Sequence, residues 1–252
     1  MKDYNYDKIA ENYDTVELGG GTGPISNEFL DKILKKYKVK KVLDMTCGTG
    51  SQSIFLAKRG FKVTANDLSK GMLRVAKKKS KGLGIGFNWG DIRKVKLGKF
   101  DAVISMFNSI GHLTKNNFEK AIRNVSNNLK DKGIYIFDIF NLDYMSKYGS
   151  FGFEFIDVAQ ERDGFIYTRF NKNNLDKKKG IMTMNQKTYT QKGYNKPDIK
   201  KESWDMQIYN FDELKSMLSK NGFKILETYD VDGKKFKKDK SMFIHLITQK
   251  IM

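Results

Sequence analysis

The stretch from Val42 to Gly50 constrains this chain most. Val42, Leu43, Asp44 and Met45 read as a buried strand, Thr46 to Gly50 as a glycine turn, and Ser51 to Lys58 as the start of a helix. Such strand–turn–helix units build parallel sheets covered by helices. Gly48 and Gly50 lack Cβ, so the backbone can turn sharply there and a ligand can approach the main chain closely. A second acid, Asp67, ends the next apolar run, Phe61 to Ala65. In a doubly wound sheet that is where the ribose hydroxyls of a bound cofactor lie.

The spacing separates kinds of ligand. A dinucleotide fingerprint requires a third glycine to seat a pyrophosphate on the helix N-terminus. Here Gln52 and Ser53 follow Gly50. The phosphate-loop pattern requires a closing Lys-Ser or Lys-Thr pair, which is absent. A carboxylate just before the turn repels phosphate and suits a ligand with a positive centre or an amino group.

Strands and helices alternate through the first 140 residues. Lys41–Met45, Phe61–Ala65, Ile85–Asn88, Phe100–Met106 and Ile134–Phe140 read as strands, and Phe223–Tyr229 and Met242–Thr248 as two more. The expected architecture is α/β: a doubly wound, seven-stranded, mostly parallel sheet. Ser69 should cap a helix through Lys79, and Asn210 with Glu213 should form a capping box for a helix through Asn221. Tyr6, Ile9, Ala10 and Tyr13 recur at helical spacing, predicting an amphipathic helix over residues 4–14. Gly19, Gly20, Gly21, Gly23 and Pro24 read as a hinge before a second helix, from Ser26 to Tyr37. Between residues 148 and 209 the alternation gives way to extended segments joined by polar turns, with Asp163-Gly164 a hairpin signal. This segment, residues 148–209, is expected to be an antiparallel β insert over the active site. The main domain would then comprise 1–147 and 210–252, with 1–37 as a helical lid.

Composition narrows the partners. The chain has 252 residues, 39% of them hydrophobic and 13% aromatic, enough for a substantial core. No stretch approaches the ~20 apolar residues of a membrane span. Cys47 is the single cysteine, so no internal disulfide forms, and one thiol with two histidines leaves little for a metal site. These features point to a cytoplasmic setting. The formal charge of +18 rests mainly on dispersed lysines. Arginine, the better bidentate partner for phosphates and bases, is scarce, which argues against nucleic acid as the partner.

The Asp44–Gly50 turn with Asp67 resembles the cofactor-binding motif of class I S-adenosylmethionine-dependent methyltransferases, which have a Rossmann-like fold. That resemblance implies S-adenosylmethionine as methyl donor and S-adenosylhomocysteine as product. It implies roles as well. Gly48 and Gly50 would let the backbone touch the donor's amino acid tail, and Asp44 would meet its amino group directly or through water. Asp67 would accept from both ribose hydroxyls. Leu68 and Met72 would pack on the adenine, Asp91 would accept from its amino group, and Ile92 would donate a main-chain bond. Met106 would border the donor at the end of the fourth strand. Cys47, without an evident base, reads as a packing residue.

A narrower resemblance follows the fourth strand, and the two together cover about residues 40–149. Asn108-Ser109 with His112-Leu113, then Asp138, Asn141, Asp143 and Tyr144, is similar to the glycine N-methyltransferase group and related small-amine N-methyltransferases. It implies a small-molecule acceptor, an amine nitrogen, against Asn108 and His112, with His112 as a candidate base and Tyr13 over the site. Members acting on glycine carry an arginine where this chain has Phe140, and a phenyl ring cannot pair with a carboxylate. Arg169 in the insert is the candidate substitute. Two other functions remain open at this point: methylation of RNA or protein, and a non-catalytic donor-binding regulator.

Overall fold

A computed structural model describes residues 1–2, 4–16, 27–162 and 164–251. The glycine hinge at 19–24, Ser26 and the first residue of the Asp163-Gly164 turn lie outside the described residues. No described helix is long and apolar enough to cross a membrane.

Seven strands form the main sheet: β1 (Lys41–Asp44), β2 (Lys62–Asp67), β3 (Gly86–Trp89), β4 (Phe100–Ser105), β5 (Leu129–Phe140), and, late in the chain, β10 (Phe223–Tyr229) and β11 (Phe243–Lys250). Their order is β10-β11-β5-β4-β1-β2-β3, and β11 alone runs against its neighbours. The sheet is sorted residue by residue. Leu43, Val103, Tyr135 and Phe137 point to one face, with α5 (Lys115–Asn128) and α7 (Phe211–Lys220). Val42, Ala102, Ile104, Ile134 and Ile136 point to the other, with α2 (Asn27–Lys36) and α3 (Ser51–Lys58). This period-two division explains why the strands read as continuous apolar runs: both faces are covered.

Caps fall where the side chains dictate. Ser69 accepts from the Met72 N–H at the start of α4 (Lys70–Lys79), and Asn210 forms the full capping box with Glu213 on α7. Two expectations are corrected. Strand β5 begins at Leu129, not Ile134, because the chain pairs with Phe100 before an irregularity in register. The segment 4–14 is not a continuous helix. It holds a 3₁₀ turn (Tyr6–Lys8) and, after further turns, a short helix α1 (Tyr13–Val16). Its bonds run Lys8→Asn5, Ile9→Tyr6 and Asn12→Ile9, the tighter i→i+3 pattern. So short a segment gains little from helix propensity alone, and Asp7 is drawn out to α4. Its carboxylate accepts from the Ser69 hydroxyl and the Gly71 N–H. The apolar stripe was read correctly nonetheless: Ala10 is buried against Met72 and Val75, with Tyr6, Ile9 and Tyr13 alongside.

A short helix, α6 (Leu142–Tyr148), capped by Asn141, leads into a separate antiparallel sheet: β6 (Glu154–Arg162), β7 (Phe165–Asp176), β8 (Ile181–Lys192) and β9 (Asp198–Gln207). Its buried end packs Met182, Trp204 and Met206 against Leu142 and Ile208.

Candidate active site

A cleft of about 430 Å³ opens at the carboxyl ends of β1, β2, β3 and β4. Sheet order reverses between β1 and β4, which is where doubly wound folds place their ligands. The volume suits a small molecule.

The floor is the Asp44–Gly50 turn. Gly48 (φ +53°) and Gly50 (φ +86°) occupy the left-handed region that side chains avoid. A Cβ built on Gly48 would meet nothing within 4 Å, so its backbone is bare toward the cleft, whereas one on Gly50 would stand 3.2 Å from Ala76 Cβ. Gly48 lines the cleft; Gly50 acts from behind it as the N-cap of α3.

Asp67 is held by main-chain donors. The Gly48 N–H donates to Oδ2 at 2.7 Å and the Ser69 N–H to Oδ1 at 2.8 Å. Burial raises its pKa, and these hydrogen bonds oppose the rise. Each oxygen retains a further lone pair. Asp44 lies behind the lining, 2% exposed, and accepts from the Ser53 hydroxyl at 2.7 Å. Burial pushes its pKa up to about 7, against that hydrogen bond, with the Asp67 charge adding to the rise. Cys47 lines the floor but is 4% exposed, and burial holds its thiol well above the usual range. It is a packing residue with no nucleophilic character.

Leu68, Met72, Asp91, Ile92 and Met106 also line the cleft. Asp91 is not free there. Arg93 Nε approaches both its oxygens at 2.9 Å and Nη2 donates to Oδ2, which holds the carboxyl below its ordinary range.

The other end of the cleft is aromatic. Tyr4, Tyr6, Tyr13, Phe107 and His112 line it. The Tyr6 hydroxyl and His112 Nε2 are hydrogen-bonded at 2.8 Å. Tyr6 stands edge-on to Tyr4 (4.9 Å between centroids), Tyr13 (6.0 Å) and His112 (5.3 Å). His112 ends a 3₁₀ turn, Ser109–His112, preceded by Phe107 and Asn108, both left-handed at φ +63° and +54°. Backbone N–H groups of both bond the buried Asp138 carboxylate, Asn108 at 3.2 Å, and fix this strained corner. Asn108 itself is absent from the lining, although its neighbours Phe107 and Ser109 belong to it.

Several contributors went unread in the sequence. Tyr4 links the cleft to the second sheet, tilted on Trp204 at 4.4 Å. No residue of β6–β9 is among the described lining residues, so that sheet meets the cleft through Tyr4. Asn66, fully buried, donates from Nδ2 to the Met45 and Gly90 carbonyls and ties the ends of β1 and β3 together. Arg93 stands two positions from Asp91, a spacing that does not by itself specify the turn that joins them. Nothing in the sequence marks Asn66 apart from any other strand residue. Phe140 packs on Phe243, Arg169 pairs with Asp157 within the second sheet, and Gly233 abuts Phe29 on α2; none reaches the described cleft.

Comparison with known proteins agrees with this geometry. A sequence profile for a family described as "Methyltransferase domain" matches residues 42–133. An uncharacterized protein of Methanocaldococcus jannaschii is 29% identical over 91% of this chain and 78% of its own length. The glycine/sarcosine N-methyltransferase of Parasynechococcus marenigrum is 36% identical over 49% of this chain. The chain spans only 46% of that enzyme's length. Among solved structures, an S-adenosylmethionine-dependent methyltransferase of Clostridium acetobutylicum superposes with a TM-score of 0.80 at 22% identity, covering 98% of this chain and 99% of its own. Residues 42–133 thus match a methyltransferase domain, and the chain shares its fold with a solved S-adenosylmethionine-dependent methyltransferase.

Proposed function

We propose that this enzyme methylates the nitrogen of a small amine that carries no carboxylate beside the reacting atom. The carrying observation is the Tyr6–His112 hydrogen bond at the aromatic end of the cleft. It supports the reading because an imidazole held at this end of the cleft could serve as the proton acceptor.

The residues present fit S-adenosylmethionine. Gly48 offers bare backbone to the amino acid tail, with Gly50 shaping the turn and Asp44 beneath it. Asp67 offers spare lone pairs to the ribose. Leu68, Met72 and Ile92 form an apolar slot for the adenine, with Asp91 at its edge and Met106 leading to the acceptor end. The donor supplies a methyl group already activated on a sulfonium, so the protein's task is positioning and exclusion of water, which can supply roughly 7–11 kcal/mol.

An amine attacks only through a free lone pair. His112, paired with Tyr6, would accept the ammonium proton before transfer or the surplus proton after it. Tyr13 and Tyr4 would close the chamber. Asn108, set by Asp138 in the corner before His112, would position the turn that carries His112 rather than meet the acceptor itself. A ring of tyrosines also favours a cationic or apolar amine. Of the described lining residues, Arg93 is the one cation, and it is engaged by Asp91. Phe140 and Arg169 do not stand in for a carboxylate clamp. Glycine, named for several relatives, is therefore disfavoured.

The test is a screen of amines, amino sugars and amino acids for formation of S-adenosylhomocysteine. Turnover with amines and amino sugars, and little with glycine or sarcosine, is expected. Turnover confined to RNA or protein would reject the reading.

A further inference from the structure

A second concavity, of about 570 Å³, lies outside the cleft, where the turn after β3 meets α5. The turn contributes Arg93, Lys94 and Lys96 to its wall, and α5 contributes Lys120 and Arg123. No carboxylate is in this described lining. The scaffold is fixed: Asn124 Nδ2 donates to the Ile92 and Val95 carbonyls at 2.9 and 2.8 Å, and Asn128 Nδ2 donates to the Val95 carbonyl at 3.0 Å. Turn and helix thus hold five cations around one hollow.

Charge marks the hollow: five cations converge on a described lining that holds no acid. Some lysines elsewhere are matched by acids, as in Lys35–Asp31, Lys36–Glu227, Lys115–Glu213, Lys130–Asp101 and Lys238–Asp212. Among the described residues, Lys96 and Lys120 have no such ion pair, and Arg123 stands 3.9 Å from Glu119. Like charges converging on one concavity lack a counter-charge that a multivalent anion would provide. Arg93 adds a connection, because it lines both this hollow and the donor cleft.

We propose that this concavity binds a small oligophosphate, an anion of two or more linked phosphate groups, and that the anion is coupled to donor binding through Arg93. A single phosphate would meet one wall; linked phosphates span turn and helix together. The Arg93 guanidinium, now spent on Asp91, is the group both anions compete for. An oligophosphate that draws it outward frees the Asp91 carboxylate for the adenine amino group. This coupling rests on the adenine role given above to Asp91; binding of the anion does not. By linkage, donor and anion must strengthen each other by the same factor.

The experiment is calorimetric titration of inorganic tripolyphosphate into the full-length protein without donor, at about 0.1 M salt so that diffuse attraction is screened. One saturable site is expected. The double variant Lys96→Glu/Lys120→Glu, at positions absent from the described lining of the donor cleft, should weaken it by at least roughly tenfold while leaving S-adenosylhomocysteine affinity without anion unchanged. In the wild type, saturating tripolyphosphate should tighten S-adenosylhomocysteine by about fivefold, and in Arg93→Gln it should not. Anion affinity within twofold of wild type in the double variant overturns the site. Persistence of the coupling in Arg93→Gln overturns the Arg93 route. Tight RNA binding lost in the double variant, with only feeble tripolyphosphate binding, overturns the small-ligand assignment. Titration of S-adenosylhomocysteine into Asp91→Ala reads the adenine contact separately, so its failure is distinguishable from failure of the anion site.

Discussion

Tyr6 and His112 are separated by 106 positions yet share a 2.8 Å hydrogen bond across the aromatic end of the cleft. Neither side chain is held by local sequence. The tyrosine arrives on an N-terminal segment fastened to α4, and the imidazole on a strained corner fixed by Asp138. Tyr6→Phe keeps the ring and removes the bond. We expect kcat to fall about 10- to 100-fold, with donor affinity unchanged. His112→Ala should cost about 10²–10⁴-fold. Steady-state rates with a turned-over amine, alongside calorimetric donor binding, check both. A fall in donor affinity equal to the fall in rate would mean the pair only shapes the cleft.

Asp67 offers a sharper test of the donor site. Replacement by Ala removes the acceptor of the Gly48 and Ser69 N–H groups together with the acceptor proposed for the ribose. S-adenosylhomocysteine affinity should drop by at least about 100-fold, each lost charge-assisted bond being worth roughly 1.5–3 kcal/mol. Full-strength calorimetric binding in Asp67→Ala would contradict the assignment.

Some of this was legible in the sequence because it is local. The Val42–Gly50 turn, Asp67 at a strand end, the Ser69 cap and the Asn210–Glu213 box each act within a few residues, and each is found in place. The helix read over residues 4–14 failed because a distant partner won: Asp7 leaves the local ladder for Ser69 and Gly71. The tilted contact of Tyr4 with Trp204 and the binding of Arg93 to Asp91 were hidden for two different reasons. The first joins segments 200 residues apart. The second depends on a turn geometry that residue types alone do not specify.

Buried carboxylates set a pH dependence whose sign is fixed. Asp44 and Asp138 are both raised by burial from an ordinary value near 3.8 to about 7. Between these values the folded state holds protons that the unfolded state has lost, so the contribution of these two groups to stability declines as pH rises toward 7, opposed in part by buried His245, which is held below its ordinary range. Each carboxylate contributes a slope on the order of 1 kcal/mol per pH unit there. Urea midpoints of the donor-free protein should fall from pH 5.5 to 7, and Asp44→Asn should flatten that fall. With the ligand's ammonium above Asp44, as proposed, the ionised carboxylate is the favoured form, so S-adenosylhomocysteine should bind more tightly as pH rises through 7. Affinity independent of pH across that range would remove Asp44 from the tail's environment.

The N-terminal segment is fastened to α4 by Asp7 on Ser69 and Gly71, Glu11 on Arg74, and Asp14 on Lys79, with Thr49 also donating to Asp14. Gly71 is the tightest point. A Cβ there would stand 2.9 Å from Asp7 Oδ1 and 3.0 Å from Asp7 Cα. Gly71 lies in a helix and carries no left-handed φ, so alanine would by itself favour α4 by up to about 1 kcal/mol. Gly71→Ala should therefore keep or raise the thermal midpoint of the main domain while pushing Asp7, and Tyr6 behind it, off the cleft. Stopped-flow release of S-adenosylhomocysteine should accelerate several-fold, and proteolysis within residues 4–16 should quicken. High salt should accelerate release from the wild type as well, because Glu11–Arg74 is exposed and screened. An unchanged release rate in Gly71→Ala, together with unchanged proteolysis, would show that the segment does not gate the donor.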